Sequence, residues 1–389
     1  MRLLHIVGTP VGGDWFVRQA VELQRRGHEL LAVVPDRGPL ADTLERAAVT
    51  TRVVRFKGRR LVDMPRVAAA QIELVRLARS YRPTLIHAHL FKAIVMGRIA
   101  GWVGGVPYRV SQWPGDVHRD VPLLRWLDRL SMPLDSVTVG SCLAIAEAYR
   151  ADGATRVDVA YYGLETAEWD PARPDLRRAR EEVRAELALA SDSQIVTMVA
   201  HMYPTSIPAF QSVGVKGHES FIDAAIELTA TAPAARFLIV GDELSGDGSY
   251  RARLEARAAR AGMPDRILFL GHRPDIARLM TASDVIAVPS IRESASYAAM
   301  EALLLNRPVV ASRTGGLPDT VQHGETGLLV PPGDAPALSE AIGQLLGDAA
   351  TRDRMGRLGR ERVRERFDIK RTVDQVEAIY RRLALQHAA

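Results

Sequence analysis

The chain has 389 residues, 47% apolar and 25% charged, longer than one hydrophobic core usually supports, so two globular domains are expected. Its one cysteine, Cys142, excludes an intrachain disulfide framework, and 51 basic against 46 acidic residues leave a net charge of +5, that of an ordinary solvated surface. No run of about 18 apolar residues exists to span a membrane, and MRLLHIVGTPVGG passes from a strand into a glycine turn without the features of a signal peptide. A cytoplasmic location is expected, membrane-peripheral if the substrate is lipid-linked.

In chain order, LLHIV (3–7) and LLAVV (30–34) are nearly continuous apolar runs, the pattern of parallel strands buried on both faces. Between them, Phe16, Ala20 and Leu23 fall at i, i+4 and i+7 on one helical face, and Gly27 is placed to end that helix. TRVVRF, LIHAHL, YRVSQ and SVTVG follow as strands, and RVDVAYYG (156–163) closes this half. The irregular LETAEWDPARPD (164–175), with two prolines, reads as a linker.

The alternation then restarts. QIVTMVA, RFLIVGD, ILFLGH, VIAVPS, PVVAS and GLLVPP read as strands; SFIDAAIELTATA, YRARLEARAARAG and PALSEAIGQLLGD read as helices. RDRMGRLGRERVRERF interleaves arginines with acids and apolar residues and reads as a solvated helix face. TVDQVEAIYRRLALQ is a helix with Val376, Ile379 and Leu383 at i, i+3 and i+7. The fold class is therefore α/β: two Rossmann-like domains in tandem, facing across a cleft at the carboxyl ends of their strands, where such sheets bind ligands.

The segment RESASYAAMEALLLNRPVVASRTGG (292–316) carries two glutamates, Glu293 and Glu301, separated by seven residues. Ser294 or Ser296 is placed to cap a helix starting near Tyr297, and Asn306 to end it. Glu293 then lies on the preceding loop and Glu301 within the first two turns. Were the whole segment helical, they would stand about 12 Å apart and about 80° apart around the axis, so they form no face-to-face acid–base dyad. They bracket a helix N-terminus, whose free N–H groups suit a phosphate. A sugar at one carboxylate, a diphosphate at the helix end and a ribose at the other would fit.

The stretch ESASYAAMEALLLNRPVVASRTGGLPDTVQHGETGLLVPPGD (293–334) resembles the E-x7-E region of the family-4 retaining glycosyltransferases. The likeness extends to GVKGHE (214–219), VGD (240–242), ILFLGHRPDI (267–276) and ASDVIAVPS (282–290). It extends more loosely to GG (12–13), RRGHE (25–29), PTLIHAH (83–89) and YYGLETAEWDP (161–171). The resemblance implies the GT-B fold. An N-terminal, acceptor-side domain would span 1–165, completed by a C-terminal helix at about 370–389, and a nucleotide-sugar domain would span 176–367. It further implies that Glu293 faces the donor sugar and Glu301 the ribose, while backbone N–H groups around Ala295, Ser296 and Tyr297 hold the diphosphate or sugar. The family usually has Phe-Gly or Phe-Pro where Ala295-Ser296 stands here. Lys216 matches the lysine that neutralises the leaving diphosphate, whereas His201, in VAHM (199–202), stands where relatives place an arginine, and a neutral imidazole is the weaker phosphate partner. Gly241 and Arg273 fall where relatives line the base pocket, and Gly12 and Gly13 where the first loop approaches phosphate and acceptor. YPTSIPAFQSVG (203–214), longer than usual, reads equally as a flap or a surface loop.

Many relatives have His-Gly after the strand matching YRVSQ; here WPGDVHRD puts Pro114 there, leaving His118 and Asp116 as displaced candidates, with His89 a further acceptor-side one. The catalytic candidates are thus Glu293, His118 and Lys216. The reaction implied moves a sugar from a nucleotide-diphosphate sugar, with UDP favoured, to a hydroxyl acceptor with retention, leaving and attacking groups on one face. No metal and no cofactor is expected, since no Asp-x-Asp stands at a strand end. A sugar phosphorylase or sugar-nucleotide epimerase on the same fold is the alternative. A nicotinamide oxidoreductase needs Gly-x-Gly-x-x-Gly after the first strand, which GTPVGGDW does not supply. RFKGRRLVDMPR (55–66) has one aromatic residue, too few for a nucleic-acid stripe. It and VPLLRWLDRLSMPL (121–134) are candidates for anionic membrane contact, although burial in the first domain is the expectation for the latter.

Overall fold

Each apolar run of the first half becomes a strand of one parallel sheet. In the computed structural model of the chain these are β1 (Arg2–Val7), β2 (Glu29–Val34), β3 (Thr50–Val53), β4 (Leu85–His89), β5 (Tyr108–Trp113), β6 (Val137–Gly140) and β7 (Val157–Val159). Their order is β3-β2-β1-β4-β5-β6-β7, with β1 central between β2 and β4. The second half forms β8 (Gln194–Val199), β9 (Ala235–Val240), β10 (Ile267–Gly271), β11 (Val285–Val288), β12 (Val309–Ser312) and β13 (Gly327–Val330), ordered β10-β9-β8-β11-β12-β13 and again parallel. The structure describes residues 1–56, 63–115, 117–203, 214–243 and 248–385. Asp116 and almost all of the candidate flap 203–214 lie outside the described residues, as does the basic run at 57–62.

The chain divides into two compact units, Met1–Glu165 with Phe367–Ala389, and Thr166–Arg366. The last helix, Ile369–Leu385, adds Val373, Val376, Ile379, Tyr380 and Leu383 to the apolar core of the first unit. Its polar edge is fastened as well. Glu377 accepts hydrogen bonds from Arg26 at 2.9 Å and Arg381 at 2.8 Å and lies 2.8 Å from His28, so this helix is built into the unit.

Two expectations are corrected here. The helix Pro122–Ser131 was expected to bury its apolar face; it buries Asp128 and Ser131 instead, while Val121, Leu123, Trp126 and Leu130 are exposed. The cause is the buried guanidinium of Arg98, which donates to Asp128 Oδ1 at 2.7 Å and Ser131 Oγ at 2.8 Å and so turns the polar side of the helix inward. The helix Ala349–Arg366 is likewise more than a solvated face. Arg360 donates to the Leu304 carbonyl at 2.6 Å, and Arg362 to the carbonyls of Thr320 and Asp319 at 3.1 and 2.9 Å, satisfying acceptors that helix ends leave open. Arg360 thereby anchors from behind the helix that carries Glu301. Among the described residues no helix is long and apolar enough to cross a membrane.

Candidate functional site

The loop after β11 and the helix Tyr297–Leu304 build the centre of the second unit's site. Ser296 takes the N-cap position, its Oγ accepting from Ala299 N at 3.3 Å, and Asn306 adopts the left-handed conformation, φ 57°, beyond the last turn. Glu293 sits on the loop. Its Oε2 accepts from Lys216 Nζ at 2.6 Å and from Ser290 Oγ at 3.2 Å, and its side chain is 8% exposed. Ser294 N donates to its other oxygen at 3.2 Å.

Two glycines allow this loop to be so tightly held. Gly315 has φ 53°, and a Cβ there would fall 1.5 Å from the Glu293 carbonyl oxygen. Gly217, φ 74°, leads into the helix His218–Leu228 beside Lys216, where a Cβ would fall 2.0 Å from the Pro289 carbonyl oxygen. Ile291 N donates to Val215 O at 2.9 Å, and Thr314 Oγ1 to Ile291 O at 3.3 Å. The ends of β8, β11 and β12 therefore converge on Glu293.

Two cavities open at these strand ends. One, of about 310 Å³, is lined by His201, Lys216, Glu293, Ala295, Ser296 and Tyr297, among others. The other, of about 920 Å³, is lined by Glu168, Trp169, Arg173, Asp275, Arg278 and Glu301, among others. Val199, the last residue of β8, borders both. The two glutamates thus face adjoining spaces joined at one strand end, an arrangement for an elongated ligand rather than for a shared proton.

His201 lines the smaller cavity; desolvation, then the charges of His272 and Lys216, lower its pKa below the usual imidazole value. It is neutral at pH 7. Gly241 does not border either cavity. A Cβ there would fall 2.0 Å from the Ala200 carbonyl oxygen, so it serves the close approach of the β9 end to the chain before His201. Arg273 also lies outside both linings; it clasps Asp275 with two bonds of 2.8 Å and donates to Glu186 at 2.7 Å. The supposed linker, by contrast, contributes Glu168, Trp169, Arg173 and Asp175 to the larger cavity, and the likeness of YYGLETAEWDP to the family was the signal for it.

In the first unit, a cavity of about 500 Å³ is lined by Gly13, Trp15, Phe91, Lys92, Gly115 and His118, among others. Gly13, φ 93°, stands at the N-cap of Asp14–Arg25; Gly12, φ 65°, is outside the lining. The short 3-10 turn Val117–Asp120 brings His118 to this wall despite its displacement along the chain. Its ring lies between Phe91, centroids 5.0 Å apart, and Trp113, 4.3 Å apart, with Nε2 3.1 Å from Asp128 Oδ2 and 3.0 Å from Tyr149 Oη.

His89 does not line that cavity. It is fully buried, with Nε2 3.1 Å from His5 Nδ1 and Nδ1 2.9 Å from Tyr162 Oη. His87, beside it, places Nδ1 2.6 Å from Tyr380 Oη. Burial holds all three imidazoles neutral, His5 near a pKa of about 3. Alternating residues of β4 point to one face, so His87 and His89 fall together against His5 of β1, a pairing that strand register alone foretells.

Comparison with known proteins follows the same two-unit division. Residues 180–362 match the family described as "Glycosyl transferases group 1", and residues 15–165 match "Glycosyl transferase 4-like domain". The chain is similar to the 2-deoxystreptamine glucosyltransferase of Streptomyces kanamyceticus, 30% identical over 370 residues, 92% of this chain and 90% of that one. It is also similar to the 2-deoxystreptamine N-acetyl-D-glucosaminyltransferase of Streptomyces fradiae, 29% identical over 384 residues, 89% and 87% of the two chains. Among solved structures, Anabaena HepE in complex with UDP superposes with a TM-score of 0.83 at 23% identity, covering 98% of this chain and 99% of that one. The fold is therefore GT-B, and the chain belongs to the family-4-type glycosyltransferases, enzymes that use nucleotide sugars.

Proposed function

We propose that the protein transfers a hexose from a UDP-sugar to a hydroxyl of a compact cyclitol, with retention of anomeric configuration and without a metal or other cofactor. The observation that carries this reading is the Lys216–Glu293 pair at a capped helix N-terminus, with Glu301 facing the adjoining cavity past Val199. The donor sugar lies at Glu293, which accepts hydrogen bonds from its hydroxyls, and the ribose lies at Glu301. The diphosphate meets Lys216 and the first N–H groups around Ala295, Ser296 and Tyr297, which stabilise the charge that develops on departure. UDP is favoured because Anabaena HepE was solved with UDP and with UDP-glucose. A cyclitol is favoured because full-length relatives are named for 2-deoxystreptamine and others for D-inositol 3-phosphate.

In the reaction, the bond from the anomeric carbon to the diphosphate oxygen breaks. The acceptor oxygen forms its new bond on the same face, and the acceptor proton passes to the departing phosphate oxygen. The first unit supplies the acceptor side through the cavity of Gly13 and His118. The relatives are named as transferases, which does not favour a phosphorylase or an epimerase. The test incubates the enzyme with UDP-glucose or UDP-N-acetylglucosamine and 2-deoxystreptamine or inositol phosphate, with and without EDTA. An α-linked product by proton NMR, undiminished by EDTA, is expected. A β-linked product would refute retention, and loss of product in EDTA would refute metal independence.

A further inference from the structure

We propose that Asp128 is a positioning residue that fixes His118 as its Nε2–H tautomer, leaving Nδ1 to accept a hydrogen bond from a hydroxyl in the first unit's cavity; this rests on the acceptor-side reading of that cavity. Asp128 is 2% exposed, on the inward face of the helix Pro122–Ser131. Its Oδ1 accepts from Arg98 Nη1 at 2.7 Å, and Arg98 also binds Asp135 at 2.7 Å. Its Oδ2 accepts from Tyr149 Oη at 2.9 Å and lies 3.1 Å from His118 Nε2.

Proton accounting settles the direction of that last bond. Burial alone would raise the Asp128 pKa, but the hydrogen bonds from His118 and Arg98 and the Arg98 charge outweigh it and hold the carboxyl below its usual value. Ionised at neutral pH, it offers only acceptors, so the imidazole proton belongs on Nε2. Nδ1 then carries the lone pair. It has no hydrogen-bond partner among the described residues and is not among the buried orphan nitrogens, in contrast to Nε2 of His87. Phe91 and Trp113 stack on the ring, at interplanar angles of 23° and 20°, which holds its plane. His118 thereby orients a hydroxyl, while the transferred proton still leaves on the diphosphate.

Imidazole nitrogen NMR of the free enzyme at pH 7.5, with His118 assigned through His118→Gln, reads the tautomer without any substrate. A protonated Nε2 is expected, and a protonated Nδ1 would overturn the proposal. In Asp128→Asn, the side-chain amide can donate to Nε2 and drive the proton to Nδ1. Acceptor kcat/KM should fall on the order of 100-fold, with donor KM within about twofold of wild type. A folded Asp128→Asn enzyme with wild-type acceptor kcat/KM would contradict the proposal. Should that variant not fold, Tyr149→Phe keeps the carboxylate and is expected to keep the Nε2–H tautomer; a reversed tautomer there would assign control to the phenol instead. If no donor and acceptor pair gives product, the acceptor-side reading fails, while the tautomer result stands on its own.

Discussion

His201 lines the smaller cavity with Lys216 and Glu293, and its part there can be titrated. Desolvation and the neighbouring His272 and Lys216 charges lower its pKa, so the free enzyme holds it neutral at pH 7. A bound diphosphate would favour the protonated ring and raise that pKa. Binding then takes up a proton, and affinity is strongest below the free-state pKa and declines as pH rises through the bound-state pKa. UDP affinity measured from pH 5.5 to 8 should fall with rising pH in wild type and flatten in His201→Ala; equal slopes would remove His201 from the diphosphate site. Lys216 is recognisable in the sequence from its place before a helix and from the resemblance around it, but its bond to Glu293 is not legible there. That contact joins residues 77 positions apart and depends on three loops meeting. Nor does the position of Arg273 at a strand end reveal in sequence that Glu186 and Asp275 bind its guanidinium.

Glu293 is placed by its loop, and that loop is shaped by Gly315. A methyl group at Gly315 would meet the Glu293 carbonyl oxygen at 1.5 Å, in a backbone conformation that side chains rarely adopt. Gly315→Ala should therefore cost roughly 1–3 kcal/mol of stability and lower kcat on the order of 100-fold through displacement of the loop. Thermal melting and steady-state kinetics check this, and a variant with wild-type kcat would show that the loop need not be so held. Strands and helices were legible here because apolar runs and capping residues act locally: Ser296 and Asn306 begin and end the helix as their chemistry dictates. The exposed stripe of Leu123, Trp126 and Leu130 was not legible. Its outward turn follows from Arg98, a buried charge about 30 residues away that needs Asp128 and Ser131 facing it.

Across the whole molecule, the histidines provide an acid-sensitive element. His5, His87, His89 and His218 are buried and neutral, each with a pKa below the usual value because of burial, about 3 for His5 and His218. Unfolding returns each to about 6.5, so below that pH the unfolded chain binds more protons, and stability falls with falling pH. Each contributes a slope approaching roughly 1.4 kcal/mol per pH unit down to its folded pKa. Urea unfolding at pH 7, 6 and 5 should show this loss above the range where carboxylates titrate; constant stability would mean that the network accepts protons while folded. Two parallel sheets in tandem were legible from repeated apolar runs, whereas the His5, His87 and His89 cluster needed the β1–β4 pairing.

The proposed donor site holds one nucleotide sugar from Glu293 to Glu301. Titration calorimetry of UDP, GDP and dTDP, then of their common sugars, into wild type and Glu301→Ala tests it most directly. UDP is expected to bind, its sugar to bind more tightly than UDP in wild type, and Glu301→Ala to lose at least about tenfold in affinity for both, roughly 1.4 kcal/mol. Unchanged UDP binding in a folded Glu301→Ala protein would contradict the placement of the ribose, and with it the assignment of the two cavities to one donor.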